Sequence, residues 1–188
     1  QTGLKLQLVS EQTAVVPGKQ FTVGLWIQHD RGWHTYWRFP GIVGVPTQMK
    51  WDLPKGWKVG PLVYPEPERT LMFQIKAQGF DRDVMLRTEV TPPEGLKPGG
   101  TVTLSGKASW MCCGNSCHPG AMDLNLTLPV AAAAEVDEKW HALLDAERAR
   151  AEHTSDAWKA EATEKGSEIT LTLRPVDARA ALRRNQGD

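Results

Sequence analysis

The chain has 188 residues, with 22 basic and 22 acidic side chains that cancel. That length suits one full domain with part of a second, and the balanced charge offers no basic stripe of the kind nucleic acid requires. No run of about 18 apolar residues is present, so no segment reads as a membrane-spanning helix. The sequence opens at Gln1 without a methionine or a leader, which fits a mature secreted form and a trimmed chain equally.

Residues 1–130 read as β-structure. Leu4, Leu6 and Leu8 alternate with Lys5 and Gln7, the period of a half-buried strand. After a turn at Val15 to Lys19, Phe21, Val23, Leu25 and Ile27 fall on one face of a second strand. Gly32 to Arg38 is short and aromatic, and further strands are expected over Thr47–Asp52, Val84–Val90, Thr101–Trp110 and Ala121–Val130. Proline- and glycine-rich breakers at 53–56, 64–67, 91–95 and 97–100 separate them. Many short strands so punctuated predict an immunoglobulin-like antiparallel β-sandwich. Most of the eight tryptophans lie in this part, where aromatics pack well on a pleated face.

The character changes after Val130. Residues 131–154 are rich in helix formers, with Val136, Trp140, Leu143, Leu144 and Glu147 at helical spacing and Asp137 placed to cap the start. One amphipathic helix is expected, as a linker or packed on the sandwich. Residues 155–188 then hold a hairpin pattern around Lys165-Gly166, the start of a second β module, and a polar tail from Arg179 to Asp188.

The three cysteines, Cys112, Cys113 and Cys117, all lie within six residues. A disulfide-stapled scaffold spreads its cysteines to close large loops, so this concentration reads as a site. Residues four apart in an extended chain are about 13 Å apart, whereas a disulfide needs Cα atoms within about 4.4–6.8 Å. Cys113 and Cys117 can therefore bond only if the chain reverses between them. Gly114-Asn115-Ser116 suits a reversal, since Gly and Asn tolerate positive φ. The flanking alternating segments would pair as strands, with the cysteines at the hairpin tip. Cys112, next to Cys113, would point to the opposite face.

Thiol–disulfide exchange needs one exposed, partly ionised sulfur and a second close enough to resolve the mixed disulfide. His118 beside Cys117 could favour a thiolate when protonated, or be an ordinary turn residue. The rival is copper(I) held by Cys112, Cys113, Cys117 and His118, because that ion suits soft sulfur and imidazole ligands. Zinc fits less well, since no second ligand pair exists elsewhere. No phosphate-binding glycine loop, G-x-S-x-G or H-E-x-x-H motif is present.

Gly32-Trp-His-Thr-Tyr-Trp-Arg38, Pro40-Gly41, Pro46-Thr47, Trp51 to Trp57, Pro65 to Arg69, Val90 to Pro93 and Trp110 to Pro119 occur in an order that is quite specific. In these the chain resembles the N-terminal periplasmic domain of DsbD-type thiol:disulfide interchange proteins, nearest the branch of copper-sensitivity suppressor membrane proteins. The resemblance covers about residues 1–130 and implies an immunoglobulin-like domain of a protein-disulfide reductase with no cofactor. It implies electrons arriving from a thioredoxin-like domain and leaving to periplasmic disulfide isomerases or thioredoxin-like proteins. Cys113 and Cys117 are the implied redox pair, with Cys117 the nucleophile toward partners. A cap loop bearing an aromatic covers the cysteines in the family, which points to Arg69–Gly79 and to Phe73, with an ordinary core strand the alternative. Tyr36 and Trp37 would line the same end, with plain core packing the favoured alternative. The three-residue spacing within the pair is shorter than in the best-known branch, and Cys112 is additional.

Overall fold

The computed structural model of the chain describes residues 2–151 and 157–176; the expected tail from Arg179 lies outside them. The chain divides into two compact units, Gln1–Ala151 and Glu152–Asp188. In the first, strands run in the order β1 (Leu4–Ser10), β2 (Phe21–His29), β3 (Thr35–Tyr36), β4 (Gln48–Asp52), β5 (Lys58–Val59), β6 (Glu68–Met72), β7 (Ile75–Phe80), β8 (Val84–Thr91), β9 (Thr101–Cys113) and β10 (Cys117–Pro129), followed by helix α1 (Glu138–Ala149). They form a four-stranded sheet β1-β2-β8-β5, a three-stranded sheet β10-β9-β4 and a small sheet β3-β7-β6, with every ladder antiparallel. This is the immunoglobulin-like sandwich that the alternation predicts.

The alternation sets the layers. Phe21, Val23, Leu25 and Ile27 of β2 meet Leu86 and Val90 of β8 and Leu104, Ala108, Trp110 and Cys112 of β9 in one buried core. The opposite face of the first sheet is covered as well. Val9, Met85 and Trp26 there pack against Leu144, Trp140 and Leu143 of α1. Burying Leu144 completely is worth about 1.5–3 kcal/mol. The Asp137 side chain accepts from the Trp140 N–H at the helix start. Glu11, at the end of β1, holds Arg148 and His141 of the helix. The helix expected within 131–154 thus lies on the sandwich, inside the first unit.

Sequence alternation finds the long strands but misses β5, β6 and β7. Glu68–Met72 carries one buried residue, Thr70, and so has no apolar period to read. The second unit contains β11 (Trp158–Lys165) and β12 (Glu168–Pro175), an antiparallel ribbon turning at Gly166. Ile169, Leu171 and Leu173 stand exposed on one of its faces, opposite Glu164, Ala162 and Ala160.

Candidate redox site: a disulfide at the hairpin tip

β9 and β10 pair over their whole length, from Thr101↔Pro129 to Cys113↔Cys117. Gly114-Asn115-Ser116 closes the turn, with the Gly114 N–H donating to the Ser116 carbonyl at 3.0 Å. The register therefore sets Cys113 and Cys117 directly opposite each other, with Cα atoms 4.1 Å apart, and they form a disulfide.

The same register separates the remaining ligands. Even-numbered residues of both strands (Leu104, Ala108, Trp110, Cys112, Leu124 and Leu128) face the sandwich core. Cys113 and Cys117 belong to the other face, where Cys113 packs with Tyr36, Ala77, Val43, Met72 and Met111. Cys112 pairs with His118 across the ladder. It is a free, fully buried thiol, and burial together with the Asp30 charge pushes its pKa up to about 12. The copper set of Cys112, Cys113, Cys117 and His118 is not brought together. Two members occupy one face and two the other, and the described residues hold no Cys/His cluster of metal-binding geometry. His118 is exposed; its Nε2 lies 2.7 Å from Ser116 Oγ and its ring 5.6 Å from that of Trp33.

The two sulfurs differ in environment. Cys113 is fully buried, whereas Cys117 is half-buried. A backbone bridge clamps Cys113 to His34: the His34 N–H donates to the Cys113 carbonyl at 2.9 Å, and the Cys113 N–H to the His34 carbonyl at 3.0 Å. On the side chains, the Tyr36 hydroxyl donates to Cys113 Sγ at 3.1 Å and lies 3.2 Å from His34 Nε2. With its proton committed to sulfur, Tyr36 accepts from the ring, so His34 presents Nε2–H. Burial raises the Tyr36 pKa, helped by nearby Cys112, and lowers that of His34 against the pull of Asp81. Both groups are thus held neutral.

Tyr36 owes its place to β3, a strand of two residues. Thr35 and Tyr36 pair with Phe80 and Gly79 of β7, and a Cβ on Gly79 would meet the Thr35 carbonyl oxygen at 2.2 Å, so only glycine lets the strands approach. His29 braces the same strand, with Nε2 3.0 Å from Thr35 Oγ1 and Nδ1 2.8 Å from the Arg82 carbonyl.

The segment Arg69–Gly79 lies mostly in a β-hairpin, β6–β7, closed by Phe73 and Gln74. From it, Met72 packs into the cysteine cluster. Phe73 stands at the tip, 70% exposed and outside that cluster, and is the one non-glycine residue with positive φ among those described, at 57°. Phe39, Ile42, Val45, Leu71 and Ile75 are exposed too. The loop bearing the first three runs beside β7, where the Gln78 N–H donates to the Pro40 carbonyl. Sequence reasoning named Tyr36 but missed His34 and Met72. The signal for His34 was its i, i+2 position to Tyr36, which places both on one face of a strand.

A disulfide on paired strand ends, at one end of an immunoglobulin-like sandwich, is a group that thiols can exchange with. The family model described as "Thiol:disulfide interchange protein DsbD, N-terminal" matches residues 5–129, and the chain belongs to that family. Among solved structures, the N-terminal periplasmic domain of ScsB from Proteus mirabilis is similar at 20% identity and TM-score 0.67. The alignment covers 94% of this chain and 66% of that one, so this chain spans just under two thirds of its length. The major pilin subunit BcpA of Bacillus cereus aligns at 8% identity over 68% of this chain and 40% of that one. Its TM-score of 0.38 carries no argument. No curated protein sequence matches. No helix among the described residues is long and apolar enough to cross a membrane.

Proposed function

We propose that this domain relays electrons in the periplasm, as part of a protein-disulfide reductase, through the Cys113–Cys117 pair. A thioredoxin-like donor reduces the disulfide, and the resulting dithiol reduces periplasmic disulfide isomerases or thioredoxin-like proteins. The observation that carries this reading is the asymmetry of the pair: one sulfur half-buried at the hairpin tip, the other sealed beneath Tyr36. Exchange is an in-line attack by a thiolate on one sulfur, and the other leaves. Access favours Cys117 as the sulfur attacked by partners and, once reduced, as the attacking nucleophile. Exposed Phe39, Ile42, Leu71 and Phe73 offer an apolar rim on which a partner could dock.

The test is thiol alkylation with mass spectrometry after equilibration in glutathione redox buffers of stepped potential. Cys113 and Cys117 should convert together between dithiol and disulfide with one midpoint, and each 30 mV separating it from a partner's is worth about 1.4 kcal/mol. A pair that stays oxidised or reduced throughout that range would sink the proposal.

A further inference from the structure

The buried member of the pair poses a proton problem. When a partner thiolate attacks Cys117 Sγ, a new sulfur–sulfur bond forms, the Cys113–Cys117 bond breaks, and its electron pair stays on Cys113 Sγ. That sulfur is fully buried, and a buried anion without compensation is costly. The neighbouring amides cannot help. The Cys113 N–H is committed to the His34 carbonyl and the Gly114 N–H to the Ser116 carbonyl. The hydroxyl of Tyr36 is the donor aimed at the sulfur, and His34 Nε2 stands behind it.

We infer that Tyr36 and His34 form a two-step proton path to Cys113, with Tyr36 the donor that touches the reacting sulfur and His34 the positioning residue that resupplies it. This rests on the exchange reading above. A solvent proton first enters the His34 ring at Nδ1. As the Cys113–Cys117 bond breaks, the Tyr36 hydroxyl proton passes to Cys113 Sγ and the Nε2 proton of His34 passes to the Tyr36 oxygen, leaving the ring neutral. In sum, partner thiolate, disulfide and one solvent proton give the mixed disulfide and a Cys113 thiol. The reverse path removes that proton when Cys113 attacks to resolve the mixed disulfide.

Cys112 lies on the opposite face of β9, where the Asp30 charge acts on it, and it bears on Tyr36 through charge alone. Asp81, beyond β7, pulls the His34 titration upward, and His29 of β2 is the neighbouring imidazole. These are the charged and titratable groups that bear on the pair. Burial is the largest influence on His34 and keeps its titration below the ordinary histidine value.

The experiment is single-turnover reduction of the disulfide in the full chain by dithiothreitol, from pH 5 to 9, in water and in deuterium oxide. Rates are corrected for the thiolate fraction of the reagent. The wild type should show a solvent isotope effect and a corrected rate that rises as pH falls through the His34 titration. Tyr36→Phe removes one oxygen and should slow reduction about a hundredfold, the low end for general acid catalysis, and abolish the isotope effect. His34→Gln keeps a donor to the Tyr36 oxygen but cannot relay a proton, so it should be slowed and should lose the rise at low pH. A purely structural role would move neither the isotope effect nor the pH profile.

Should Tyr36→Phe fail to fold, 3-fluorotyrosine labelling serves in its place. The chain has two tyrosines, and the Tyr64 hydroxyl is bound to the Thr47 carbonyl. The more acidic phenol should speed the corrected rate; an unchanged rate overturns the path. A Tyr36→Phe protein that reacts like wild type, with the same isotope effect, overturns the path alone. A wild-type disulfide that dithiothreitol does not reduce overturns the exchange reading and the path together.

Discussion

Cys112 in the folded protein should resist alkylation by about a thousandfold. With Cys113 and Cys117 oxidised, it is the free thiol of the chain. Its pKa is pushed from 9.0 up to about 12, first by burial and then by the Asp30 charge. Only the thiolate reacts, and at pH 8 an ordinary thiol of that starting value is about one-tenth ionised, against about one part in ten thousand for Cys112. Steric closure adds to this, since no part of its surface is open. The assay is a time course with iodoacetamide at pH 8, read by mass spectrometry, against the same oxidised chain in guanidinium. Labelling of the native protein within tenfold of the denatured control would refute the placement of Cys112 in the core. The same burial has a thermodynamic signature. A pKa raised by folding contributes stability that is complete below the unfolded value near 9 and is lost as pH rises toward 12. Between pH 9 and 10, below the range where the raised tyrosines Tyr36 and Tyr64 add their own slopes, stability should therefore fall by at most about 1.4 kcal/mol per unit, and Cys112→Ala should remove that contribution.

Glu11 works in the opposite direction: the Arg148 guanidinium holds its pKa down to about 2, so its stability is present above pH 4.5 and lost as pH falls toward 2. Glu11→Gln should flatten acid unfolding in that window and cost about 1–2 kcal/mol at neutral pH, read by denaturant melts. Arg82 bridges Glu68 at the start of β6 to Glu147 on α1. Arg82→Met leaves the buried Glu147 carboxylate with Arg150, 3.8 Å away, as its remaining ion-pair partner among the described residues, and should lower stability by about 3 kcal/mol in the same melts. Gly79→Ala should force β3 away from β7, cost about 1–3 kcal/mol and open Cys113 of the reduced protein to alkylation. Unchanged protection there would show that β3 does not depend on that close approach.

The sandwich was legible because its long strands obey a period of two and bury one face. Phe21 to Ile27 and Thr101 to Cys113 each declare the core without help from elsewhere. The hairpin at the cysteines was legible for a local reason, since Gly114-Asn115-Ser116 is turn chemistry between two alternating runs. The hairpin over Arg69–Gly79 was not. Its residues face a small cluster on one side and solvent on the other, and its turn puts a phenylalanine at positive φ, where glycine or asparagine is the usual signal. Nor does the aromatic expected over the cysteines, Phe73, join their cluster; from that hairpin Met72 packs into it instead. The role of His34 depends on the hydrogen bond that Tyr36 makes to a cysteine 77 residues beyond Tyr36 along the chain, a relation that no local pattern encodes.

The pairing of β9 with β10 also bears on how the disulfide is first made. Side chains of a strand change face at every residue, so sliding β9 by a single position would bring Cys112 to the place of Cys113 and offer Cys117 the wrong mate. Such a slip would also turn Leu104, Ala108 and Trp110 out to water. The apolar face of a hairpin thirteen residues long on each side thus acts as a proofreader during oxidative folding. Choosing between adjacent cysteines is left not to the sulfurs themselves but to the leucines and the tryptophan down the strand.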